Sequence, residues 1–219
     1  DVWFRFTLAA REVVYLDVAD GNAWNSILQV RQGSCTSPAT SVACQDDSCG
    51  GVRSQWYGTL DAGTYYVVLD STGPAQVGDY SLFYQHAPCG GSRPITGNGD
   101  FDGTTVGQVN DYTVAAPCSG RAAADVDYYL GLCSARSVTA TTCNSVTAGA
   151  TLDTLLYFRS GSCTGPQVAC NDNGAGPTFC ATWFRSSTLT ATLPKGLSFL
   201  IVDGGWTLPV EGAYRVTIS

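Results

Sequence analysis

Carboxylates and amides gather directly behind a cysteine at two places in the chain: Gln45, Asp46 and Asp47 follow Cys44, and Asn171, Asp172 and Asn173 follow Cys170. Calcium takes about six to eight oxygen ligands of this kind. Two readings are open at each place. One is a calcium site built on Asp46 and Asp47 or on Asn171, Asp172 and Asn173; the other is an Asx-rich turn whose side chains bond their own backbone. A third stretch, Asn98-Gly-Asp-Phe-Asp-Gly103, puts Asn98, Asp100 and Asp102 at the first, third and fifth positions with glycine sixth, as calcium loops begin. Val109 stands where the closing bidentate acid is needed, so a polar turn competes with the cation reading there too.

Asp70 and Asp203 end two very apolar runs, and a pair of carboxylates can perform acid–base hydrolysis. Their duplication argues otherwise, because a residue repeated at one place in two modules suits a turn cap or cation ligand better than half of an active-site pair. The only histidine, His86, lies just before Ala87-Pro88 with no nucleophile near it. No HExxH, GxSxG or glycine-rich phosphate loop is present. The chain is therefore expected not to be an enzyme. Trp24 and Trp206 sit among small and polar residues, where exposed rings would suit sugar stacking or a protein interface.

The ten cysteines are even in number, form no CxxC pair and have a single histidine for company, so disulfides explain them better than a metal cluster. Cys35 with Cys44 and Cys163 with Cys170 flank short loops at matched places, and each pair is expected to be bonded. Loops of this length stabilise by roughly 2–3 kcal/mol in the chain-entropy model. Spacing leaves the partners of Cys49, Cys89, Cys118, Cys133, Cys143 and Cys180 open. Disulfides imply an extracellular or cell-surface setting.

The elements that must hold these residues are strands. Short segments rich in Val, Thr, Tyr, Phe and Leu are broken by Gly, Asn, Asp or Pro every eight to twelve residues, as in sandwiches and barrels. Thr64–Leu69 and Leu197–Val202 read as central strands buried on both faces, each preceded by a glycine, Gly63 or Gly196, suited to a positive-φ turn. With 44% hydrophobic residues there is ample core material. A net charge of −7 with Lys195 as the only lysine leaves no basic stripe for nucleic acid or anionic lipid, and no apolar run is long enough to span a bilayer.

The pattern is written twice. Asp1-Val-Trp-Phe-Arg-Phe6 matches Asp125-Val-Asp-Tyr-Tyr-Leu130, Asn25–Cys35 matches Asp153–Cys163, and Val42-Ala-Cys-Gln-Asp-Asp47 matches Val168-Ala-Cys-Asn-Asp-Asn173. Gly78-Asp-Tyr80 then matches Gly212-Ala-Tyr214. The expected organisation is a first sandwich over 1–89, a Pro/Gly-rich connection over 90–99 and a second sandwich over 100–219. The copies differ at their starts: Thr104–Val114 stands ahead of Asp125, whereas the sequence opens at Asp1. With no methionine and no leader, the chain has the look of a mature or excised segment.

These landmarks resemble the bacterial pre-peptidase C-terminal domain in its cysteine-bearing tandem form. The resemblance rests on the openings after Asp1 and Asp125, the Asp153-Thr-Leu-Leu-Tyr run, the Cys-Asn-Asp-Asn turn, Gly63-Thr-Tyr-Tyr-Val-Val-Leu-Asp70 and Gly78-Asp-Tyr80-Ser-Leu. It implies an all-β chain of two tandem jelly-roll-like β-sandwich domains stabilised by disulfides. Such units are accessory to secreted enzymes, some binding collagen or polysaccharide and some taking calcium. A unit of this family begins with a segment like Gly103–Tyr112, so the first copy lacks an opening strand. Either the chain is cut from a longer array, or a neighbour supplies the strand by β-augmentation. The expectation is a non-catalytic extracellular binding or scaffolding module that calcium rigidifies and that partners a matrix polymer, polysaccharide or protein. The alternatives are a homopolymeric filament subunit completed by its neighbours' strands and an accessory region of a secreted hydrolase.

Overall fold

Apolar residues at every second position set the first strand: Val2, Phe4 and Phe6 turn inward while Trp3, Arg5 and Thr7 face outward. The same two-residue period recurs along the chain. The computed structural model describes residues 1–18, 20, 24–34, 40–120, 122–143, 152–173, 185–206 and 211–219, and it is all-β in two units, Asp1–Gly91 and Ser92–Ser219.

The first unit contains β1 (Val2–Leu8), β2 (Glu12–Asp17), β3 (Ser26–Gln32), β4 (Thr40–Asp46), β5 (Gln55–Leu60), β6 (Gly63–Ser71) and β7 (Phe83–Ala87). They form a sheet in the order β1-β6-β3-β4 and a second in the order β5-β2-β7. Leu8, Leu28, Val30, Tyr65 and Val67 from the first sheet meet Val14, Leu16 and Leu60 from the second in one buried core. This is a β-sandwich.

The second unit repeats that plan with two strands in front of it. β8 (Arg93–Pro94) and β9 (Gly99–Thr104) precede β10 (Val126–Leu132), β11 (Arg136–Thr141), β12 (Thr154–Ser160), β13 (Gln167–Asp172), β14 (Thr188–Leu193), β15 (Gly196–Gly204) and β16 (Ala213–Ile218). One sheet runs β13-β12-β15-β10-β8 and the other β14-β11-β16-β9. The inner order β13-β12-β15-β10 is β4-β3-β6-β1 over again, and a bulge after Phe158 in β12 matches one after Val30 in β3. The stretch expected as a plain connection over 90–99 thus carries β8 and the start of β9.

Gly196, the first residue of β15, holds φ at +96°, the left-handed region its place before Leu197 called for. Every residue of β15 is buried, so the expectation of a strand covered on both faces holds there. Its counterpart β6 is central in its sheet, but Tyr66 remains partly exposed where Phe199 is fully buried. The outer face of the first sheet has less cover.

β9 lies antiparallel to β16 from Gly99↔Ile218 to Thr104↔Ala213. Its Phe101 packs edge-on against Tyr128, with ring centroids 6.3 Å apart, and its Gly103 lies over the hydrogen-bonded pair of Tyr128 and Tyr214 hydroxyls. A Cβ on Gly103 would stand 2.4 Å from the Tyr214 oxygen and 2.9 Å from that of Tyr128. Gly103→Val is therefore expected to lose about 1–3 kcal/mol of stability in the second unit, read by urea unfolding.

Candidate functional site

Residues 105–120 and 122–125, between the end of β9 and the start of β10, form a strap across the outer face of the five-stranded sheet. The face it crosses contains Leu155, Tyr157, Phe199 and Ile201, all fully buried yet outside the inter-sheet core. Four kinds of contact hold the strap. The Arg159 guanidinium donates to the Thr113 carbonyl at 2.6 Å, and Gln167 exchanges two hydrogen bonds with Ala115 at 2.8 and 2.9 Å. The Asp125 carboxylate accepts the Asp111 and Tyr112 N–H groups. Cys118 is bonded to Cys170 in β13.

That disulfide corrects the expected Cys163–Cys170 pairing. Cys163 is bonded elsewhere, and Cys49, Cys89, Cys133 and Cys143 also lie in disulfides. The expected Cys35–Cys44 bond is not formed either: Cys44 is an exposed free thiol, and Cys35 lies outside the described residues, as does Cys180. Short sequence loops suggested local pairs, but Cys170 points off the outer face of the sheet toward the strap.

Between strap and sheet lies a cavity of about 200 Å³ lined by Asn110, Tyr112, Val114, Ser119, Gly120 and Asp203, among others. Asp203 ends β15. Its Oδ1 accepts the Gly204 N–H at 2.7 Å and its Oδ2 the Tyr157 hydroxyl at 3.2 Å. Burial pushes its carboxyl up to about 7, the two donors opposing the shift and the Asp125 charge adding to it. Asp125 rises to about 6, again chiefly by burial. Asp70, the matched residue, accepts the Ser71 N–H at 2.7 Å in the same way. The shared contact, a carboxylate accepting the N–H of the strand's last residue, is repeated in both units.

The tryptophans part company. Trp206 is 52% exposed, and its indole N–H donates to the Ser119 carbonyl at 2.9 Å, which fixes the ring beside the cavity lining. Trp24 is half-buried, with its N–H on the Asp79 carbonyl at 3.0 Å and its ring against Gly78. Trp206 has the exposure a stacking platform needs; Trp24 braces a turn.

The cation candidates separate in the same manner. Asn98 precedes β9, and Asp100 and Asp102 lie in it: Asp100 accepts the Thr217 hydroxyl at 2.6 Å, and Asp102 takes the Arg215 guanidinium at 2.7 and 2.9 Å, which holds its carboxyl below the usual range. A strand with its carboxylates so engaged replaces the expected calcium loop. Asp47 and Asn173 sit at matched turns with φ of 58° and 63°, the left-handed geometry that Asx residues adopt readily, and Asp46 ends β4. Asn171 accepts the Thr188 N–H at 3.0 Å. Asp172 rises to about 6 through burial and the neighbouring Asp153 charge. Among the described residues no group of three or more His, Cys, Asp or Glu is arranged to hold a metal. His86 lies in β7, with Nδ1 2.5 Å from the Glu12 carboxylate and its ring stacked on Tyr84.

No family model matches the chain, and no curated protein does. Among solved structures the chain is similar to that of the M60 catalytic domain with the CBM51-1 and CBM51-2 domains from Clostridium perfringens ZmpB, at 10% identity and a TM-score of 0.25. The match covers 99% of this chain and 33% of that one.

Proposed function

We propose that the chain is a non-catalytic extracellular binding module whose second unit presents Trp206 and the adjoining cavity to a polysaccharide. The observation that carries this reading is the fixed, exposed Trp206 ring next to a cleft whose polar lining includes Asn110, Ser119 and Asp203. An aromatic face stacks on the C–H face of a sugar while nearby amides and hydroxyls take its hydroxyls. Asp203 serves the protein itself, accepting the Gly204 N–H and the Tyr157 hydroxyl. The resemblance to pre-peptidase C-terminal domains, with their accessory roles and occasional calcium, belongs with this reading.

Affinity electrophoresis through gels containing soluble β-glucan, xylan or mucin tests it. At least one polymer should retard the chain, Trp206→Ala should weaken that retardation tenfold or more, and no reducing ends should be released. Retention of binding by Trp206→Ala would overturn the proposed site, and polymer cleavage lost in Asp203→Asn would overturn the non-catalytic reading.

A second reading, an extracellular structural subunit completed by strands from its neighbours, is favoured by the first unit, where β1 and β7 are both edge strands among the described residues.

A further inference from the structure

Trp206 is held from both ends. On the sheet side the chain leaves β15 at Gly204, whose N–H donates to the Asp203 carboxylate at 2.7 Å. The Gly205 N–H then donates to the Asp153 carbonyl, just ahead of β12, at 2.7 Å. These bonds fix the backbone at the root of the tryptophan and leave its side-chain torsions free. On the strap side Ser119 fixes the tip, since the indole N–H lies 2.9 Å from its carbonyl oxygen and 3.2 Å from its hydroxyl oxygen. Without that second grip, a ring that is 52% exposed would turn among its rotamers.

The two neighbours of Ser119 hold it in place. Cys118 on one side is bonded to Cys170 of β13. Gly120 on the other lies so close to the sheet that a Cβ there would stand 2.7 Å from Leu155 Cδ2 and 3.2 Å from the Gly204 carbonyl oxygen. Leu155 is fully buried in β12, so its methyl has little room to give, and glycine is what lets the strap come down to this depth. Cys118, Ser119 and Gly120 also form one wall of the cavity. The hydrogen bonds from Arg159, Gln167 and Asp125 act on residues 111–115, ahead of this run.

We propose that Cys118 and Gly120 are positioning residues of the Trp206 site. Acting through Ser119, they set the indole ring and the adjoining cavity wall for the ligand, so binding depends on the Cys118–Cys170 bond. The inference rests on the reading that Trp206 receives a polysaccharide. A ring already held in its binding pose loses little rotamer freedom when a sugar stacks on it, whereas a free ring must be ordered at each encounter. Releasing the run displaces the wall as well, and both halves of the site weaken together.

The test combines the gels of β-glucan, xylan and mucin with 15N relaxation of the indole N–H groups. Trp206→Phe identifies the Trp206 signal by its loss. In the parent chain that indole should be as rigid as the backbone, with an order parameter of about 0.85. Cys118→Ala with Cys170→Ala, and separately Gly120→Val with the disulfide intact, should bring it below about 0.6 and weaken polymer retardation by about fivefold or more. Leu155→Ala removes the methyl that a Cβ on residue 120 would strike, so it should restore part of both in the Gly120→Val chain. Gly103→Val, which strains the same unit at β9, should change neither.

An indole that stays rigid in both the disulfide and the glycine variants overturns the proposal, as does equal weakening by Gly103→Val. If the parent is retarded and the two variants are retarded equally with a loosened ring, the positioning role fails and the polysaccharide reading stands. If no gel retards the parent while the ring still loosens in both variants, the polysaccharide reading fails and the run remains what positions the ring.

Discussion

Replacing Cys118 and Cys170 together by alanine is expected to destabilise the second unit by about 2–4 kcal/mol and to lower its melting temperature by roughly 10 °C. The bond spans 52 residues, a separation for which the chain-entropy model gives close to 4 kcal/mol. Other disulfides already restrain the unfolded chain, which trims that figure. The loss should reach beyond melting. Once the strap is released, Leu155, Tyr157 and Phe199 gain access to water, so the variant should bind a hydrophobic dye below its unfolding transition. Differential scanning calorimetry with dye fluorescence reads both, and an unchanged melting temperature would mean that the strap is held by its hydrogen bonds alone.

The second large effect is one of pH. Asp203 is buried, and its carboxyl is pushed up to about 7 in the folded state. In the unfolded chain it titrates near 4. Folding therefore favours the protonated form: the contribution is fully present below about pH 4 and is lost as pH rises through 7. The size is on the order of 3 kcal/mol across that window, and Asp125 and Asp172, each raised to about 6, act in the same direction. The second unit should be more stable at pH 5 than at pH 8. Asp203→Asn keeps an acceptor for the Gly204 N–H and carries no charge, so it should raise stability at pH 8 by about 1–3 kcal/mol and flatten the profile. Urea unfolding in chelator at the two pH values measures this. A variant no more stable than the parent at pH 8 would contradict the burial account.

Much of this fold was legible in the residues. The short segments rich in Val, Thr, Tyr, Phe and Leu are strands, the glycine before Leu197 holds a positive φ at the head of β15, and the landmarks matched between the copies fall on matching strands. The candidate site was less so. Trp206 and Trp24 have similar sequence surroundings, and only tertiary contact shows that one ring is fixed in the open and the other braces a turn. The Asn98–Gly103 spacing fits a calcium loop by residue type, yet Arg215 and Thr217, more than a hundred residues away, hold its carboxylates in a strand. Long-range pairing of this kind leaves no local signature.

The disulfides were misread through loop length. Cys118 stands ahead of Asp125, 52 residues from its partner Cys170. In the first copy the residue matched to Cys170 is Cys44, a free thiol. Pairing near neighbours finds neither. The two copies thus differ at this matched position, with Cys170 bonded and Cys44 free.

Alkylation of the purified 219-residue chain without reduction, followed by proteolysis and mass spectrometry, tests that asymmetry most directly. A linked peptide pair joining Cys118 to Cys170, together with quantitative alkylation of Cys44, is the predicted result. A Cys163–Cys170 linkage, or Cys44 found in any disulfide of the isolated chain, would contradict it.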